Sequence, residues 1–111
     1  MDIQINARNA KVTDSLRAQA AFRMERLQRL EQRITSATIS FEIAGTTKRA
    51  EARLNAAGGP PIVAEGSGAT LRNALDAAMD RIERQLKRRR QRRRDSRTRA
   101  VRGRQGGLVG R

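Results

Sequence analysis

Lys87-Arg88-Arg89-Arg90-Gln91-Arg92-Arg93-Arg94 places seven cationic side chains around one glutamine, and Arg97, Arg99, Arg102 and Arg104 follow. The chemistry open to such a run is neutralisation of a polyanion. Each phosphate paired releases condensed counterions, so binding is strong, largely independent of sequence and steeply dependent on salt. Arg far outnumbers Lys here, which favours forked contacts to phosphate oxygens over point-charge attraction. The bland alternative is a solvated tail that maintains solubility. Two further sets fall on helical spacing. Arg26, Arg29 and Arg33 lie within about 60° of one another on one helix, and Arg81, Arg84 and Arg88 do so on another. A single Arg beside an apolar stripe often only covers it with its stem. Two rows on helices lying side by side would form one basic surface.

Other chemistries find little support. Asp76 and Asp80 share a helical face with Glu83 nearby, a spacing that could hold a metal or share a proton. Partnered with Arg81 and Arg84, however, they read as surface ion pairs. Ser15, Ser36, Ser40, Ser67 and Ser96 have no imidazole to activate them, because the chain contains neither His nor Cys. The same absence excludes disulfides, zinc fingers and haem ligation. Gly58-Gly59-Pro60-Pro61 and Gly66-Ser67-Gly68 lack the spacing of a phosphate-cradling loop. With Phe22 and Phe41 the only aromatic residues, almost nothing is left for a base-stacking platform. No catalytic residue, metal site, cofactor or small-molecule substrate is expected.

The elements that must carry the arginines follow from length and pattern. A chain of 111 residues with net charge +14 suits one small domain. Residues 1–80 hold 11 basic and 9 acidic side chains, whereas 81–111 hold 14 and 2, so a nearly neutral body bears a cationic end. The polar start is unlike a signal peptide, and no apolar run approaches the ~20 residues that span a bilayer; a cytoplasmic protein without membrane contact is expected. Met1–Ala7 alternates as a half-buried strand. Thr13 is positioned to cap a helix running to about Gln32, with Leu16, Ala20, Met24, Leu27 and Leu30 on its apolar face. Ala37–Ala44 and Arg49–Ala56 alternate around Gly45-Thr46-Thr47 as an antiparallel hairpin. Ile62–Glu65 is a short fourth strand. Thr70 caps a second helix with Leu71, Leu75, Ala78, Ile82 and Leu86 on its stripe, helical to about Arg92. Beyond lies a disordered Arg-rich tail. The expected fold is α+β, in the order β-α-β-β-β-α, with a four-stranded sheet and both helices packed on one face. Residues 1–92 form the domain and 93–111 the tail.

Thr70-Leu71-Arg72-Asn73-Ala74-Leu75-Asp76, followed by Asp80-Arg81-Ile82-Glu83-Arg84-Gln85-Leu86-Lys87, resembles the second-helix signature of the ribosome hibernation promoting factors, also called ribosome-associated inhibitors or sigma-54 modulation proteins. Ile3-Gln4-Ile5-Asn6-Ala7-Arg8-Asn9 and Val12-Thr13-Asp14-Ser15-Leu16-Arg17 look like the family's first strand and helix start. Arg23, Met24, Arg26 and Leu27 match its K-[LF]-x-K-L step. The resemblance covers about residues 1–90. It implies a fold akin to double-stranded-RNA-binding domains and docking in the messenger and transfer RNA channel of the small ribosomal subunit. There, basic helix residues contact ribosomal RNA (rRNA) and block translation in resting cells. Carried over, those contacts are Arg23, Arg26, Arg81, Arg84, Lys87 and Arg88; Arg29, Arg33, Arg89 and Arg90 join them from the rows and the run. Arg72 stands where the family has an aromatic residue, and Thr70 where it has an acidic cap. Long members carry a C-terminal dimerisation domain that pairs ribosomes. This chain has only a basic tail, so a monomeric short form is expected. The alternative is a general RNA- or DNA-binding protein driven by the tail, and a third reading is a partner of acidic proteins.

Overall fold

The computed structural model describes the backbone of residues 2–109 and the side chains of residues 2–92. The order is β1 (Asp2–Arg8), α1 (Asp14–Leu30), β2 (Ile34–Ala44), β3 (Thr47–Ala56), β4 (Ile62–Gly68) and α2 (Leu71–Val109). The sheet order is β1-β2-β3-β4. β1 and β2 pair in parallel, Ile5 opposite Ile39, which requires a crossover, and α1 supplies it. β2, β3 and β4 pair antiparallel, with Phe41 opposite Ala50 and Ala52 opposite Ala64. This is the expected α+β architecture, with a mixed sheet.

Both helices start where their caps dictate. The Thr13 hydroxyl accepts from the Leu16 amide at 3.1 Å, and the Thr70 hydroxyl accepts from Asn73 at 3.0 Å. Each satisfies an amide that the first helical turn leaves without a partner. The core lies between the sheet and the helices. Leu16, Ala20, Met24 and Leu27 of α1 and Leu75, Ala78, Met79, Ile82 and Leu86 of α2 are buried with Ile39, Phe41, Ala52 and Leu54 of the sheet. Each large side chain so buried stabilises the fold by ~1.5–3 kcal/mol.

Several boundaries differ from expectation. α1 ends at Leu30, because Glu31 turns to φ −141°, ψ 102° while its amide still donates to Leu27. Glu31 is 8% exposed, and its carboxylate accepts from the Arg33 amide at 3.1 Å. Arg33 therefore sits in the turn before β2, not on the helix with Arg26 and Arg29. β2 begins at Ile34, earlier than its alternation shows, because an irregularity between Ile34 and Ser36 breaks the alternation while Ile34 stays buried and paired with Ala56. β4 runs on through Gly66 to Gly68. A Cβ on Gly66 would run into the Ala74 carbonyl and the Ala78 amide and lie 2.8 Å from the Ala77 Cβ, so glycine there lets α2 lie directly on the strand. Gly45 turns the β2–β3 hairpin at φ +62°. The backbone of α2 passes the end near Arg92 that the loss of its apolar stripe predicts, since Arg, Lys and Gln are good helix formers. The side chains of 93–111, on which the expected disordered tail falls, lie outside the described residues.

Candidate nucleic-acid interface

β4 is an edge strand, so every second residue points its carbonyl and amide away from β3 with no strand to receive them. One flank of α2 lies along that edge, and residues four apart on a helix share a face. Arg81 donates to the Glu65 carbonyl, Gln85 to the Val63 carbonyl at 3.1 Å and Arg89 to the Pro60 carbonyl at 2.8 Å. The Arg89 guanidinium also fills the space a Cβ on Gly59 would take. The Gly-Gly-Pro-Pro stretch is thus a seat for an arginine as well as a chain reversal.

Arg84, Arg88 and Arg92 stand beside that row. With Arg81, Gln85, Arg89 and Pro60–Ile62 they line a groove containing five guanidinium groups and no acidic residue. Arg84, Arg88 and Arg92 have no hydrogen bond or ion pair to any described residue. Such a groove suits the spaced, forked recognition of phosphate oxygens.

The opposite flank of α2 meets α1 and is acidic. Arg23 reaches across to Asp80 at 2.7 Å and to Asp76 at 3.5 Å, and its side chain is 14% exposed. The expected ion pairs of Asp76 and Asp80 with Arg81 and Arg84 are therefore replaced by a clamp between helices. Arg81 and Arg88 line the groove on the β4 side, and the Arg23–Asp76–Asp80 link lies between α1 and α2. Arg26 and Arg29 are exposed on α1, where Arg29 borders a depression lined by Glu25, Gln28 and Gln32. Arg33 lies beside Gly58, its Nη1 3.9 Å from where a Cβ would be. Lys87 is 3.8 Å from Glu83 one turn earlier, and Arg90 is half-buried. Of the residues expected from sequence, the structure gathers Arg81, Arg84, Arg88 and Arg89. It adds Arg92 of the cationic run, and Gln85 and Pro60–Ile62, which the sequence did not single out as contacts. The four-residue spacing of Arg81, Gln85 and Arg89 was the available signal for Gln85.

No cluster of three or more residues able to hold a metal occurs among the described residues, and no described helix is long and apolar enough to cross a membrane.

Residues 3–94 match the family described as sigma 54 modulation protein / S30EA ribosomal protein. The chain belongs to that family. It is 33% identical over 90 residues to a ribosome hibernation promotion factor of Deinococcus radiodurans, covering 77% of this chain and 47% of that one. The S30EA-family chain thus spans about half the length of this curated relative. The N-terminal domain of Thermus thermophilus Protein Y superposes with a TM-score of 0.71 at 33% identity, over 79% of this chain and 98% of that one. A ribosomal subunit interface protein from Coxiella burnetii shares the fold at a TM-score of 0.75 and 23% identity, over 81% and 98% of the two chains. The family is one of non-enzymatic hibernation factors.

Proposed function

We propose that this protein binds the small ribosomal subunit through rRNA, occupies the messenger and transfer RNA channel and inhibits translation in resting cells. The observation that carries the reading is the acid-free groove of five arginines between α2 and the start of β4, on the fold of a hibernation-factor family. Its partners are rRNA phosphates, met first by Arg84 and Arg88, with Arg81 already oriented by the Glu65 carbonyl of β4 and Arg89 by the Pro60 carbonyl that precedes it. Arg26 and Arg29 present further cations on α1, Lys87 and Arg90 add long-range attraction, and Arg33 extends the positive charge toward the Gly58 turn. Arg23 serves mainly to hold α1 against α2. Residues 1–92 act as the docking domain of a cytoplasmic monomer, and 93–111 add sequence-independent affinity.

Sedimentation with ribosomes through a low-salt gradient tests the reading. Wild-type protein travels with small subunits or whole ribosomes, and Arg84→Glu combined with Arg88→Glu stays near the top. Wild-type protein that fails to enter the gradient with ribosomes would refute the proposal. The density of charge in 81–111 favours one competing reading, general binding of nucleic acid by the tail. Deletion of 93–111 separates the two: general binding collapses, whereas ribosome docking keeps its footprint.

A further inference from the structure

Phe22 is the exception on α1. It is 56% exposed, whereas the chain's other aromatic residue, Phe41, is 1% exposed in the core. A single exposed apolar side chain needs no explanation by itself; its neighbours give this one a meaning. At 100° and 1.5 Å per residue, Arg26 lies about 40° to one side of Phe22 and ~6 Å along α1, and Arg29 about 20° to the other side and ~10 Å along, both toward the helix C-terminus. Both arginines are exposed, and neither donates to any described residue. Glu25 is the nearby acidic residue, on the Arg29 side. Val63, the other exposed large apolar residue among those described, lies on β4, so α1 offers no second large apolar group beside the ring. An apolar protein contact asks for a cluster of such groups. A lone ring followed along the helix by two exposed guanidinium groups matches a short single strand instead, with a π-face for one base and cations for the phosphates that continue toward the C-terminal end of α1.

We propose that Phe22 stacks on an unpaired base of the bound RNA, with Arg26 and Arg29 on the phosphates that run from it toward the C-terminal end of α1. The proposal rests on the rRNA reading and deepens it, because it requires a single-stranded or bulged nucleotide opposite α1.

The full-length protein and its Phe22→Ala, Phe22→Trp and Phe22→Leu variants are titrated against three probes: small ribosomal subunits, an RNA hairpin with an unpaired loop, and a fully paired RNA duplex. Phe22→Ala should weaken binding to the first two by roughly 5- to 150-fold, the range found when a stacked aromatic is truncated. It should leave duplex binding and the log–log salt slope unchanged, since no phosphate contact is lost. Phe22→Trp should restore affinity and Phe22→Leu should not. An unaltered melting temperature in all three variants shows that the effect is not one of folding. Equal binding of small subunits by wild type and Phe22→Ala overturns the stacking proposal and leaves the ribosome reading standing, as does full rescue by Phe22→Leu. A Phe22-dependent hairpin affinity without subunit binding does the reverse. Absence of both overturns both.

Discussion

Removing a cation from the groove and removing one from between the helices should have opposite signatures. Arg84, Arg88 and Arg92 line the groove without partners among the described residues, so each is free to neutralise a phosphate. Arg23 is already neutralised by Asp80 at 2.7 Å and Asp76 at 3.5 Å. On single-stranded RNA each phosphate contact contributes about −0.7 to the slope of log K against log salt. Replacing Arg84, Arg88 and Arg92 with Gln should therefore flatten the slope by ~2. Between 50 and 200 mM salt that amounts to a loss of affinity roughly 20-fold smaller than the wild type suffers. Arg23→Gln should leave the slope unchanged. It should instead lower stability by no more than ~1 kcal/mol, because the Asp80 and Asp76 side chains are 54% and 40% exposed and solvent screens the pair. For a domain of this size that corresponds to a melting temperature ~4 °C lower. Fluorescence anisotropy of a labelled RNA across a salt series, with thermal melts of the same samples, reads both quantities. If Arg23→Gln flattens the slope as much as a single groove substitution, the clamp between α1 and α2 does not neutralise it and the partition of the arginines is wrong.

Gly66→Ala places a methyl group against the Ala74 carbonyl and the Ala78 amide, which cannot move without lifting α2; urea denaturation should show a loss of ~1–3 kcal/mol or more. Thr70→Ala removes the hydroxyl that accepts from Asn73 and should cost about 1 kcal/mol by the same assay, with the helical circular dichroism signal otherwise retained. Arg81→Ala combined with Gln85→Ala uncovers the Glu65 and Val63 carbonyls of the β4 edge; light scattering should detect more concentration-dependent association than in the wild type, and an unchanged mass would show that these side chains do not guard the edge.

Much of the fold was legible because the patterns were local. The alternation of Ile39, Phe41 and Ile43 against Thr38, Ser40 and Glu42 marked β2, and the 3.6-residue spacing of Leu16, Ala20, Met24 and Leu27 marked α1. Thr13 and Thr70 marked the helix starts, since capping depends only on the next three residues. The pattern stops β4 at Glu65, whereas the strand runs through Gly66 to Gly68, because glycine signals a turn in sequence and a close approach only in three dimensions. Arg33 fitted the helical spacing of Arg26 and Arg29, yet Glu31 ends the helix by turning to extended backbone and accepting from the Arg33 amide.

The sequence by itself determined the element order, the two apolar stripes, the cationic end and the absence of histidine and cysteine chemistry, all properties of residue type and short-range spacing. Which arginines remain available to a polyanion was decided only by tertiary structure. Arg23 and Arg84 are equivalent as formal charges, but Asp76 and Asp80 lie across the helix pair from one and nothing acidic lines the groove beside the other. An arginine's availability depends on the partners that packing brings to it, and those partners lie far away along the chain.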